Sequence, residues 1–218
     1  MKKTTLAVPA GSPRVAAFIA EAVASGRSVA ELVVIEPGRE QLAASADEAG
    51  GDTTSSPIPW NPMSFASARA ALIEAETALG GTLDELVVFV DPPDDSRPVA
   101  ELSPREIEAS AITWAAGHVG LVRETARRFG EKNGGTIVLV IVHAERGPLG
   151  AVAENAMTGL AEGMFASAQA KVRFIAFRDE SSQPESLGRQ IVRSLDETGK
   201  ETGRIQRFGA KAGFFNRG

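Results

Sequence analysis

The sequence predicts an α/β protein built on a doubly wound, roughly seven-stranded parallel sheet flanked by helices, and three observations carry that expectation. Short apolar runs alternate with stretches of helical periodicity along all 218 residues. The runs are continuous in Val, Ile and Leu rather than alternating with polar residues, as in strands covered on both faces. With 43% hydrophobic and 23% charged residues, the composition is ordinary for a globular chain, and this length buries roughly 70% of its unfolded surface. One sizeable core, in a single domain over 1–218, is the consequence.

The elements follow in order. "TTLAVPA" (4–10) is a short apolar run ended by turn residues. "SPRVAAFIAEAVASG" then carries apolar residues at helical spacing, with Ser12 placed to cap and Pro13 at the first helical position. "ELVVIEP" (31–37) reads as the second strand, followed by a helix near 37–48, a weak strand at "SPIPW" (56–60) and a helix at 63–79. "LDELVVFVD" (83–91) is the next buried strand, and a long helical region covers 103–130. Then come "GGTIVLVIVH" (134–143), a helix within 150–170, "KVRFIAF" (171–177), a helix near 184–197 and a last strand "GRIQRF" (203–208). Loops are expected at 48–56, 92–102, 143–150 and 178–184.

Charge and composition exclude several functions. Twenty-three Lys and Arg against 28 Asp and Glu leave a net charge of −5, and no basic run is long enough to follow phosphates, so nucleic acid is not an expected partner. No apolar stretch reaches membrane-spanning length, and "MKKTTLAVPAG" is too short in apolar residues for a signal peptide, which points to the cytoplasm. Cysteine is absent, removing disulfides, thiolate nucleophiles and Cys-based zinc sites. His118 and His143 are the only histidines, and tyrosine is absent.

Four segments, in their order and spacing, resemble the short-chain dehydrogenase/reductase family. "LDELVVFVD" sits where that family has D-x-L-V-N-N-A-G, "ELSPREIEASAITWAAG" resembles its E-L-[ST]-x-E-x-W helix, "GGTIVLVI" its G-x-I-V-x-I-S-S strand, and "TGRIQRFGAKAG" its closing strand. The resemblance spans the chain and implies a Rossmann-like domain, NAD(P) chemistry and pairing through two helices. The motifs that carry that chemistry are missing. The loop T-G-x-x-x-G-x-G becomes "VPAGSPRV": Val8 and Pro9 replace Thr-Gly, Pro13 and Val15 replace the later glycines, and only Gly11 remains, with no evident reason. Prolines remove N–H donors from a phosphate cradle, and Val15 is expected to intrude where the dinucleotide would lie. Glu36, near the end of the second strand, reads as a solvated carboxylate rather than a ribose ligand.

The family's Asn-Ser-Tyr-Lys tetrad fares no better. Trp114 stands at the Asn position and Val142 at the Ser position, while the Tyr-x-x-x-Lys pair aligns either with Gly150 and Glu154 or with Glu154 and Thr158. No tyrosine exists to take the hydroxyl proton. The expectation is a subunit silent in hydride transfer that binds no NAD(P) or metal, paired with an active NAD(P)-dependent relative or with itself. The alternatives are a cofactor-free hydrolase or lyase and a homo-oligomeric metabolite-binding protein.

His143 is the fallback catalytic candidate, because it ends a strand at the carboxyl edge, where open α/β sheets place ligands, with Asp91, Glu145 or Glu154 as the partnering carboxylate. His118, near Trp114 in a helix, reads as a packed residue, and "DPPDD" (91–95) as an exposed turn rather than a cation site. The helix "GAVAENAMTGLAEGMFASAQA" has few charges for a solvated face, so Met157, Met164 and Phe165 are expected at an interface, with Phe214 and Phe215 docking on a partner.

Overall fold

A computed structural model describes residues 2–35, 56–92, 94–132, 134–143, 147–167, 171–197 and 203–209. The helix expected near 37–48 and the residues Glu36, Glu145, Phe214 and Phe215 lie outside these. In chain order the elements are β1 (Thr4–Val8), α1 (Pro13–Ala24), β2 (Ser28–Val34), β3 (Ile58–Trp60), α2 (Phe65–Ala78), β4 (Glu85–Val90), α3 (Pro104–Ala111), α4 (Gly117–Glu131), β5 (Gly135–Val142), α5 (Pro148–Ala166), β6 (Val172–Asp179), α6 (Pro184–Asp196) and β7 (Gln206–Phe208). The strands form one parallel sheet in the order β3-β2-β1-β4-β5-β6-β7. The chain reverses its direction of winding between β1 and β4, which places a crevice outside their carboxyl ends.

Each layer of helices buries one set of alternating strand side chains. Helices α2, α4 and α5 cover one face around Leu72, Leu121, Phe129 and Met157, and α1 and α6 cover the other around Phe18, Leu187 and Ile191. Strand β4 is buried along its whole length, ELVVFV. The caps act as the residues require: the Ser12 side chain accepts from the Arg14 N–H with Pro13 in the first turn, and Ser103 forms a capping box with Glu106 at the start of α3.

Strand β2 begins at Ser28 rather than at Glu31, because its pairing with β1 starts at Thr4 and Ser28. The short polar-apolar opening "SVAE" conceals it from a search for apolar runs. The long helical region is interrupted by a π-helical turn, Ile112–Ala116, joining α3 to α4. A π-turn shifts the hydrogen-bond ladder by one residue and leaves little trace in periodicity.

At the amino edge of the sheet, a buried ion pair ties four elements together. Arg27, between α1 and β2, donates from Nε to Glu85 Oε2 at 2.8 Å, and both side chains are almost wholly buried. The Thr5 hydroxyl donates to the same carboxylate at 2.7 Å, and Arg27 Nη2 reaches Asp196 at the end of α6 at 2.7 Å.

Candidate functional site

The carboxyl edge, where β1, β4, β5 and β6 end, holds two clusters of polar side chains. The first centres on Arg14 in the opening turn of α1. Its Nε donates to Asp179 Oδ2 at 2.7 Å, one Nη to Asp91 Oδ2 at 3.3 Å, and the other Nη to the Ser181 carbonyl at 3.3 Å. Asp179 is held from its other side, since Oδ1 accepts from the Ser181 N–H at 2.9 Å and the Ser181 hydroxyl at 2.7 Å. One guanidinium thus spans the ends of β4 and β6. Val15 does not stand in the crevice, contrary to the expectation from its place in the loop: it is fully buried with Phe18, Val87 and Phe89. The helix turns Val15 inward and sends its neighbour Arg14 to the mouth. Gly11 has its reason here, with φ at +87°, a backbone conformation that L side chains rarely adopt.

The second cluster joins β5, α5 and β6. Nδ1 of His143, just past β5, lies 2.9 Å from Glu154 Oε1 and 3.1 Å from Oε2, and Arg178 Nη2 reaches the same Oε1 at 2.8 Å. The partner of His143 is therefore Glu154, while Asp91 serves Arg14. Around this cluster Val142 is buried at the end of β5, and Gly150 is buried in the first turn of α5. Gly147, which opens α5, lies so close to the Asp95 carbonyl that a Cβ could not fit, so the loop after β4 packs onto this helix start.

Trp114 falls in the π-turn. It stacks on His118 at 5.7 Å, and Trp60 meets the same imidazole edge-on at 5.3 Å. His118 is wholly buried, with Nδ1 donating to the Thr113 carbonyl at 2.8 Å. Burial pushes its pKa down to about 4, because the cation would lose its hydration. His118 is a packed residue, as its helical setting implied.

Several solved structures share this architecture. A short-chain dehydrogenase from Mycobacterium smegmatis superposes with a TM-score of 0.76 at 19% identity, over 97% of this chain and 93% of that one. A 3-ketoacyl-(acyl-carrier-protein) reductase from Brucella melitensis, solved with NADH, gives 0.74 at 16% identity over 94% and 96% of the two chains. An oxidoreductase of the short-chain dehydrogenase/reductase family from Brucella ovis, solved with a partially ordered NAD, gives 0.74 at 15% identity over 95% and 100%. The chain has the short-chain dehydrogenase/reductase fold. No family model matches the sequence, and no curated protein does.

In a short-chain dehydrogenase/reductase fold, a dinucleotide would lie across the β1–α1 turn, and the residues there do not suit its pyrophosphate. Pro9 and Pro13 offer no N–H, the Arg14 backbone N–H is donated to the Ser12 hydroxyl, and the Arg14 cation is engaged by two carboxylates. The loop from β6 to α6 runs only from Glu180 to Gln183, leaving no room for a helical lid.

The interface candidates divide. Met157 is wholly buried in the chain's own core, so it is not an interface residue. Met164 and Phe165 are half-buried against that core, Phe165 meeting Phe174 edge-on at 5.2 Å. Met164 and Leu160 also line a groove of about 340 Å³ between α4 and α5, with Val119, Val122 and Ala126 opposite and Arg123 and Arg127 on its rim. No helix among the described residues is long and apolar enough to cross a membrane, and they contain no group of three metal-ligating side chains.

Proposed function

We propose that this chain is a subunit silent in hydride transfer, which pairs with and stabilises a catalytically active NAD(P)-dependent relative of the same fold while binding no NAD(P) itself. The observation that carries the reading is Arg14: the helix start that would receive a pyrophosphate presents a cation already held by Asp91 and Asp179. Two carboxylates at that position repel a dianionic cofactor, and their guanidinium partner is not free to compensate. The absence of any tyrosine removes the family's proton-transfer group as well.

The groove between α4 and α5 supports the pairing half of the reading. Val119 and Val152 are exposed on these helices, and α5 offers Ala151, Ala156, Gly159 and Gly163 to solvent with Glu162 as its only fully exposed charge. Small residues allow helices to approach closely, so a matching helix pair would bury the α5 side of this face at little cost in desolvated charge, with Arg123 and Arg127 left at the rim. The experiment is co-expression with a dehydrogenase-like chain that retains the glycine loop and the Tyr-Lys pair, followed by intact mass measurement and an NADH titration. The expected result is a mixed oligomer with one cofactor per active subunit. A homo-oligomer that ignores the other chain would overturn the pairing and favour a self-assembled binding protein.

A further inference from the structure

We propose that His143, oriented by Glu154, is a general base able to hydrolyse small activated esters at the open carboxyl edge. Three elements converge on one carboxylate oxygen. Glu154 Oε1 lies 2.9 Å from His143 Nδ1 and 2.8 Å from Arg178 Nη2, and these two nitrogens are themselves 2.9 Å apart. Arg178 Nη2 can donate either to Glu154 Oε1 or to His143 Nδ1; with the proton on Nδ1, His143 donates to Glu154 as well, and this is the tautomer assigned to the active form. Arg178 holds Glu154 in place, and a Glu154 oxygen within reach of Nδ1 favours the tautomer with the proton on that nitrogen. The other ring nitrogen is left as a lone-pair base, and the His143 side chain is 42% exposed. His118 shows the contrast, because its Nδ1 bonds a backbone carbonyl inside the core and its other nitrogen is out of reach.

The step balances without a cofactor. Nε2 takes a proton from water as the water oxygen bonds to the acyl carbon. The C–O bond to the leaving group breaks with its electron pair, and the imidazolium returns the proton to the departing oxide. Nδ1–H stays on Glu154 throughout, so the carboxylate is a positioning residue that stabilises the imidazolium. The cluster lies on open surface, so substrate class follows from reactivity, and p-nitrophenyl acetate is the probe.

The test uses the full chain with p-nitrophenyl acetate and, in parallel, histidine NMR, which the presence of only two imidazoles makes simple. Turnover by the protein is expected to exceed that of an equal concentration of free imidazole and to disappear in His143→Ala. Glu154→Gln is expected to lower turnover about tenfold and to shift the His143 proton off Nδ1. Far-ultraviolet circular dichroism confirms that each variant is folded. Unchanged turnover in His143→Ala, or a Glu154→Gln protein with the same turnover and tautomer, would overturn the proposal. The NADH titration is untouched by either substitution, so failure here is distinct from failure of the silent-subunit reading.

Discussion

The two edges of the sheet use the same device to different depth. At the amino edge, Arg27 and Glu85 form an ion pair closed off from water, with Thr5 and Asp196 completing its hydrogen bonds. At the carboxyl edge, Arg14 joins Asp91 and the buried Asp179, but the guanidinium is 21% exposed and Asp91 18%. The first is a fastening inside the molecule, and the second is a fastening laid across the place where this fold binds ligands. The part of the carboxyl edge beside α1, which ordinarily stays open for chemistry, is here tied down as the amino edge is, while the His143 side remains open.

The largest effect expected from breaking either edge belongs to Glu85. Replacing it with Ala strands the buried Arg27 cation, and the expected loss is about 3–5 kcal/mol in urea unfolding, near the threshold of folding at all. A small loss would mean that Asp196 alone satisfies Arg27.

Acid sharpens the comparison from the core between the edges. His118 titrates near 6.5 in an unfolded chain and at about 4 when folded. The native state therefore resists the proton that the unfolded state accepts. The stability involved is fully present above pH 6.5 and is lost as the pH falls toward 4, for a total of about 3 kcal/mol, of which about 2 lies between pH 6.5 and 5. Urea unfolding at those two pH values measures it, and His118→Leu should flatten the slope. Both tryptophans touch this imidazole, so their fluorescence follows the transition.

Arg14→Ala should cost less than Glu85→Ala, about 1–2 kcal/mol, because water reaches Asp91 and Ser181 still gives the buried Asp179 two hydrogen bonds. It should gain no affinity for NADH, since two carboxylates then face the crevice without their cation. Cofactor binding by this variant would show that Arg14 alone had closed the site. The smallest effect is expected from Ser103→Ala at the exposed start of α3, about 1 kcal/mol or less in thermal unfolding.

The alternation of strands and helices, the Ser12 cap and the loss of the glycine loop are legible in the sequence because each rests on neighbouring residues. Ser12 and Pro13 announce their helix locally, and the missing tyrosine needs only a count. Arg14 was not legible, since its partners lie 77 and 165 residues away and meet it only when the sheet aligns their strand ends. Its one local signal is a cation in the first helical turn, where the helix dipole disfavours it. Val15 was misread because a loop motif was matched by position, whereas the helix turns every side chain by about 100°. Met157 shows the same ambiguity, because a methionine among small residues suits a core and an interface equally well. The pairing of His143 with a carboxylate was foreseeable from the sheet edge, but the choice of Glu154 required the placement of α5 against β6.

Whether the Arg14 fastening closes the dinucleotide site is decided by titrating the purified chain with NADH and NADPH while following nucleotide fluorescence. With Arg14 held by Asp91 and Asp179, no saturable binding of either nucleotide is expected up to millimolar concentration. Saturable binding, one nucleotide per chain and weakened by substitutions in the β1–α1 turn, would contradict it.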